Sequence, residues 1–168
     1  MQVFEAIKNR RSIRKFTEAQ IPQESLRKIL DAGIWAPSGS NAQPWKFVLV
    51  RRGLDKIKMF SPGLFGQPSA LVVICSERKF SENAEGPLKV DPAIFIDIGA
   101  SAQCMMLQAY ELGIGSCPVR SFNQKAVQKL LELPDDMIPE LMITLGYPGE
   151  KPTPPPRRKF EETVCERN

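Results

Sequence analysis

"WAPSGSNAQPWKF", residues 35–47, stands where one periodicity of the chain stops and another begins. Upstream, Leu26, Ile29, Leu30, Gly33 and Ile34 recur at the spacing of a single helix face, and Pro22 and Pro37 bound the run, so a helix is expected between them. Downstream, "KFVLV" (46–50) is a short apolar run rich in β-branched residues and reads as a buried strand. The stretch is therefore a loop wedged between two core elements. It crowds backbone amides together with Ser38, Ser40, Asn41 and Gln43, a set that suits a polar planar ligand. Taken alone, it fits a plain connector better, one in which Asn41 and the serines satisfy their own turn and Trp45 belongs to the core.

Further out, Val3, Phe4 and Ile7 mark one face of a short helix over residues 2–9, which runs directly into "RRSIRK" (10–15). "LDKIKMF" (54–60) suggests a short helix, and "LVVIC" (71–75) a second buried strand. "PAIFIDIGASAQCMMLQAYEL" (92–112) is apolar on nearly every side, yet Asp97, Gln103, Gln108 and Glu111 interrupt it and membrane flanks are missing. It is expected to be a central helix, buried in a core or against a second subunit. "GIGSCPVRSF" (113–122) reads as a strand leading into a helix started by Ser121 or Asn123, with Val127, Leu130 and Leu131 facing inward. "ELMITLGY" (140–147) is the last strand. The tail then turns proline-rich, with Pro148, Pro152, Pro154, Pro155 and Pro156. In polyproline II, at about 3.1 Å per residue, ten residues reach about 30 Å. The alternative is a disordered tail, but "FEETV" (160–164) resumes a strand-like pattern, as if the arm were docked. The expected organisation is one compact domain over residues 1–168, with 148–168 as a C-terminal arm.

A chain that is 42% hydrophobic and 25% charged excludes disordered and fibrous classes. Its first residues turn basic before any leader-like apolar run forms, so a cytoplasmic protein is expected. The cysteines, Cys75, Cys104, Cys117 and Cys165, show no C-x-x-C spacing, and three sit in apolar runs, which favours buried reduced thiols. The complete absence of histidine excludes Ser-His and Cys-His nucleophiles and weakens any transition-metal site. In an enzyme of this composition, chemistry falls to a cofactor. A net charge of +4 is too small to announce a nucleic-acid binder, and neither nucleic acid nor membrane is expected as a partner. The charge is concentrated in two arginine clusters, at 10–15 and 157–159. Ser12 among its arginines offers a hydroxyl and guanidinium forks to one phosphate dianion, although charge runs also occur as solvated faces.

Four signals stand in order: a first helix ending in R-R-S-I-R-K-F (10–16), a second closing on A-P-S-G-S-N-A-Q-P-W (36–45), a long apolar helix followed by G-I-G-S-C-P-V (113–119), and I-T-L-G-Y-P (143–148) before a proline-rich arm with R-R (157–158). Across essentially the whole chain this resembles the FMN-dependent nitroreductase family. The resemblance implies an α+β fold with a mainly antiparallel central sheet flanked by helices, in an intertwined homodimer with FMN at the interface. It also implies an oxidoreductase that uses NAD(P)H to reduce nitroaromatics, quinones or related small-molecule acceptors by a ping-pong mechanism. Arg10 and Ser12 match phosphate-binding positions, Arg11 lies in the same segment, and Arg14 matches a basic position on the pyrimidine side of the flavin. Pro37, Ser38, Ser40 and Asn41 match the partner-subunit loop that packs on the ring. Pro118, Val119, Arg120 and Ser121 match the segment over its other face, with backbone amides of Arg120 and Ser121 toward N5 and O4. Arg157 or Arg158 matches the arginine that closes on the phosphate, with Lys159 as a third option.

Longer members insert helical segments after the second strand to shape the substrate pocket. Here "SERKFSENAEGPLKV" (76–90) is short, and Phe60, Phe65 and Phe80 are candidates to line the pocket or to join the core. The same superfamily holds a flavin-destroying enzyme and dehalogenases that share the cofactor site, so the resemblance leaves the reaction open. From a different class, a flavin- or nucleic-acid-binding module without turnover would also use arginine clusters.

Overall fold

A computed structural model describes residues 2–77 and 93–167. Four strands, β1 (Trp45–Val50), β2 (Ala70–Glu77), β3 (Gly115–Val119) and β4 (Met137–Gly146), form one sheet in the order β1-β2-β4-β3, with every neighbouring pair antiparallel. β2 explains the near-continuous apolar run in the sequence, because it is buried on both faces. Ala70, Val72 and Ile74 enter one core with α2 (Gln23–Ile34) and α4 (Ala93–Glu111). Leu71, Val73 and Cys75 enter another with α3 (Leu54–Lys58) and α5 (Gln124–Leu130). The expected α+β architecture is therefore present, as an antiparallel sheet between two helical layers.

Helix α2 begins after Pro22 and buries Leu26, Ile29 and Gly33. Glycine inside a helix costs about 1 kcal/mol relative to alanine. Gly33 is retained because a Cβ there would collide with the side chain of Met105 on α4, and its carbonyl accepts the Ser101 hydroxyl at 3.0 Å. Helix α4 is the expected central helix, and within one chain the core takes only one side of it. Ile94, Ile98, Ala102, Met105 and Ala109 face the core, but Ile96 is 73% exposed and Phe95 is also turned outward. The sequence could not separate these faces, since both carry apolar residues.

Helix α5 starts at Asn123, whose side chain accepts the N–H of Ala126 at 3.0 Å, so Asn123 and not Ser121 is the cap. Val127 is fully buried and Leu131 packs beside it, four residues on, whereas Leu130 lies off that row and is exposed. The tail holds a correction. "FEETV" is no strand: Phe160–Thr163 is a single helical turn, α6, held locally by the Lys159 N–H on the Glu162 carboxylate (3.3 Å) and by the Thr163 hydroxyl on the Lys159 carbonyl (3.0 Å). Two glutamates in its first turn suit a helix N-terminus, and its apolar residues, Phe160 and Val164, stay exposed.

All four cysteines are free, with Cys75 and Cys117 buried, Cys104 half-buried and Cys165 exposed. Burial, aided by the charge of Glu140, pushes the Cys75 thiol up to about 12, which makes it inert.

Candidate functional site

Helix α1 (Val3–Asn9) hands the chain to Arg10, after which residues 12–17 run extended between β3 and the segment beyond β4. Ile13 N–H donates to the Ser116 carbonyl (3.0 Å), Thr17 N–H to Tyr147 (2.9 Å), and Gly149 N–H returns to Lys15 (2.8 Å). Ser12 and Ser116 are direct partners in a parallel bridge. Arg10 is half-buried and its Nη1 has no hydrogen-bond partner. Arg11 spends Nη1 on the carbonyls of Lys8 and Arg10, both at 2.8 Å, and leaves Nε buried and unpaired. Burial pulls the Arg10 pKa below the usual arginine value; Cys117 opposes that shift, and the positive charges of Arg11 and Arg157 reinforce it. Arg10 and Arg11, with Ser116, Tyr110, Glu150 and Lys151, line a cleft of about 450 Å³. Cations crowded together with unsatisfied donors make a site built for an anion.

The end of β3 presents a wall of its own, outside the lining of that cleft. Val119 is core, while Pro118, Arg120 and Ser121 are exposed. The loop of residues 60–66 links this wall to the arginine segment. Gly63 N–H donates to the Ser121 carbonyl (3.3 Å), Asn123 N–H donates to Phe60 (2.8 Å), and Gly66, in the left-handed region at φ 68°, packs so closely on the Arg14 carbonyl that no Cβ fits. Phe60 and Phe65 are 40% and 52% exposed, so neither is core. Phe80 lies outside the described residues. Beneath Arg120, Glu140 is buried and accepts the Ser76 hydroxyl (2.9 Å) and the Gln124 side-chain amide (3.2 Å). Burial raises its carboxyl pKa, against the opposing effects of Ser76, Arg120 and Gln124.

The loop that follows α2 fits the connector reading in part. Ser38 Oγ accepts the Gln43 N–H at 3.0 Å and so completes its own turn, and Trp45 is core, stacked on Phe47 at 6.2 Å. Ser40 and Asn41, by contrast, are exposed in left-handed backbone, at φ 49° and 55°. Such conformations persist only where surrounding contacts impose them. Here the Asp97 carboxylate on α4 accepts the Gly39 N–H at 3.2 and 3.3 Å. Within one chain this loop does not meet the arginine cleft. Asp97 and Tyr110 mark their places on α4, and thirteen residues at 1.5 Å separate them by about 20 Å. Of the tail cations, all exposed, Arg157 acts on Arg10 through its charge.

Four residues at the site escaped the sequence: Ser116, Asp97, Glu140 and Glu150. Asp97 carried a signal, a carboxylate within an apolar helix; the other three carried none. Among the described residues no cluster of metal-ligating side chains occurs, and no helix is long and apolar enough to cross a membrane.

A model of the nitroreductase family matches residues 7–62 and 58–147. The chain is 34% identical, over 90% of its length and 80% of the relative's, to a protein of Methanothermobacter thermautotrophicus provisionally named NADH dehydrogenase/NAD(P)H nitroreductase. Among solved structures, a nitroreductase family protein of Streptococcus pneumoniae superposes with a TM-score of 0.92 over 99% of this chain and 100% of that one, at 22% identity. A protein of Desulfovibrio desulfuricans solved in complex with FMN superposes with a TM-score of 0.85 over 100% of this chain and 98% of that one, at 29% identity.

Proposed function

Since the chain belongs to the nitroreductase family, we propose that it is an FMN-dependent oxidoreductase that takes electrons from NAD(P)H and passes them to nitroaromatics, quinones or related acceptors. The observation that carries this is the pair Arg10 and Arg11, adjacent cations that line one cleft and whose buried Nη1 and Nε lack partners, with Ser12 next in the chain. A phosphate monoester satisfies both donors and offsets the mutual repulsion. Arg10 and Ser12 hold the phosphate, Arg11 braces the segment, and Arg157 closes over it from the tail, in preference to Arg158 or Lys159.

When bound, FMN supplies reversible hydride chemistry at N5. Pro118, Val119, Arg120 and Ser121 cover one side of the ring, and backbone N–H groups of Arg120 and Ser121 orient it. Arg14 sets a positive charge at the pyrimidine side, where negative charge accumulates on reduction. With one side covered, NAD(P)H and acceptor use the same open side in turn, which gives ping-pong kinetics.

Pro37, Ser38, Ser40 and Asn41 act from a second protomer. The span of about 20 Å along α4 from Asp97, which holds this loop, to Tyr110 at the arginine cleft supports this, and so does exposed apolar surface at Val3, Phe4, Ile7, Trp35 and Ile96. The working unit is a homodimer.

The test is cofactor discrimination followed by turnover. Protein titrated with FMN and with riboflavin should bind FMN at least tenfold more tightly, and parallel double-reciprocal plots should describe NAD(P)H oxidation against a quinone. Equal affinity for both flavins would overturn the assignment of the arginine cleft; intersecting lines would overturn the shared open side.

A further inference from the structure

Resting on that cofactor assignment, we propose that Ser116 is a further donor to the FMN phosphate, built into β3 beneath the arginine pair. Ser116 is 2% exposed, and its hydroxyl has no hydrogen-bond partner. Neighbouring buried hydroxyls are satisfied: Thr144 donates to the Cys117 carbonyl at 3.3 Å and Ser69 to the Leu145 carbonyl at 3.5 Å. A buried unpaired hydroxyl is costly, so its retention asks for a ligand.

The topology says which one. Ser12 and Ser116 are direct partners in a parallel bridge, and paired residues in a ladder project their side chains to the same face. The next residues behave as that rule requires, because a Cβ on Gly115 would run into the side chain of Ile13 on the opposite face. The hydroxyls of Ser12 and Ser116 thus stand side by side. Ser116 also lines the same cleft as Arg10 and Arg11, whose Nη1 and Nε are likewise buried without a partner. Three residues from two separate segments that line one cleft each hold a buried donor without a partner, and a terminal phosphate, with three acceptor oxygens, can satisfy all of them. Riboflavin, which lacks the phosphate, cannot.

Ser116→Ala and Ser116→Thr, beside the wild type, test this by fluorescence titration with FMN and riboflavin and by thermal unfolding without flavin. For Ser116→Ala we expect FMN affinity to fall by about tenfold or more, riboflavin affinity to stay unchanged, and the flavin-free protein to melt no earlier than the wild type. Ser116→Thr, which keeps the hydroxyl, should retain most of the FMN preference. Unchanged FMN affinity in Ser116→Ala overturns the proposal, as does an equal loss for both flavins, which would mark Ser116 as structural. A wild type that does not distinguish FMN from riboflavin would instead overturn the phosphate site itself, and Ser116 with it.

Discussion

Glu150 grips Arg14: its carboxylate accepts the Arg14 backbone N–H at 2.6 Å and, through the same oxygen, the N–H of Lys15 at 3.0 Å. The first turn of the arm after β4 is thereby tied to the segment that carries the arginine cluster. Those two backbone bonds, the Arg14 one foremost, hold the Glu150 carboxyl below its ordinary value near 4.5. The stability that Glu150 contributes is complete above that ordinary value and disappears as pH falls through the depressed one. Melting curves of wild type and Glu150→Gln should therefore differ at neutral pH, with the variant less stable, and converge in acid. A gap independent of pH would show that the carboxylate charge is irrelevant to this tie.

Glu140 has the opposite sign. Burial raises its carboxyl pKa, so the folded state prefers the protonated form. Its favourable contribution is complete below the ordinary carboxylate range and is lost as pH rises through the raised value. Glu140→Gln keeps an acceptor for Ser76 and carries no charge, so it should gain stability relative to the wild type as pH rises from the ordinary carboxylate range, about 4, toward neutrality. Chemical denaturation at the two ends of that pH interval measures the difference, and a variant that loses ground as pH rises refutes the assignment.

Leu26 on α2 is completely buried in the core that α2 shares with α4, and Trp35, just past the helix end, is 87% exposed. Leu26→Ala should cost about 2–5 kcal/mol in urea unfolding. Trp35→Ser should leave the secondary structure of the chain intact and shift the protein toward monomer in sedimentation. A variant at Trp35 that remains wholly dimeric would place the subunit interface elsewhere.

Arg14 is exposed, and the charge on its side chain is the property at issue. In Arg14→Gln, loaded with FMN, the midpoint potential should become more negative by about 20–60 mV, the two-electron equivalent of about 1–3 kcal/mol for one charge-assisted contact. Arg157→Ala should instead weaken FMN binding and leave the potential of the bound flavin nearly unchanged. Spectroelectrochemistry and titration separate the two, and a normal potential in loaded Arg14→Gln reduces Arg14 to a solvated surface charge.

The sequence by itself determined the elements, because the signals that define them are local. Apolar spacing marked α2, two proline boundaries set its limits, β-branched runs marked β1 and β2, and the order of the arginine, serine and glycine motifs pointed to the family. Local signals also set the limits of that knowledge. Whether "FEETV" pairs as a strand depends on a sheet edge elsewhere, and none of the described strands takes it, so its acidic first turn folds it as a helix. Which apolar side of α4 meets the core depends on α2 and the sheet, not on α4's own composition. Tertiary structure alone decided that the hydroxyl of Ser116 is buried unpaired in the residue paired with Ser12, that Asp97 reaches across to Gly39, and that Asp97 lies about 20 Å along α4 from Tyr110 at the arginine cleft. Periodicity fixes where a side chain points along its own element. Only the register between strands and the packing between helices fix which donors meet an acceptor and which wait for a ligand.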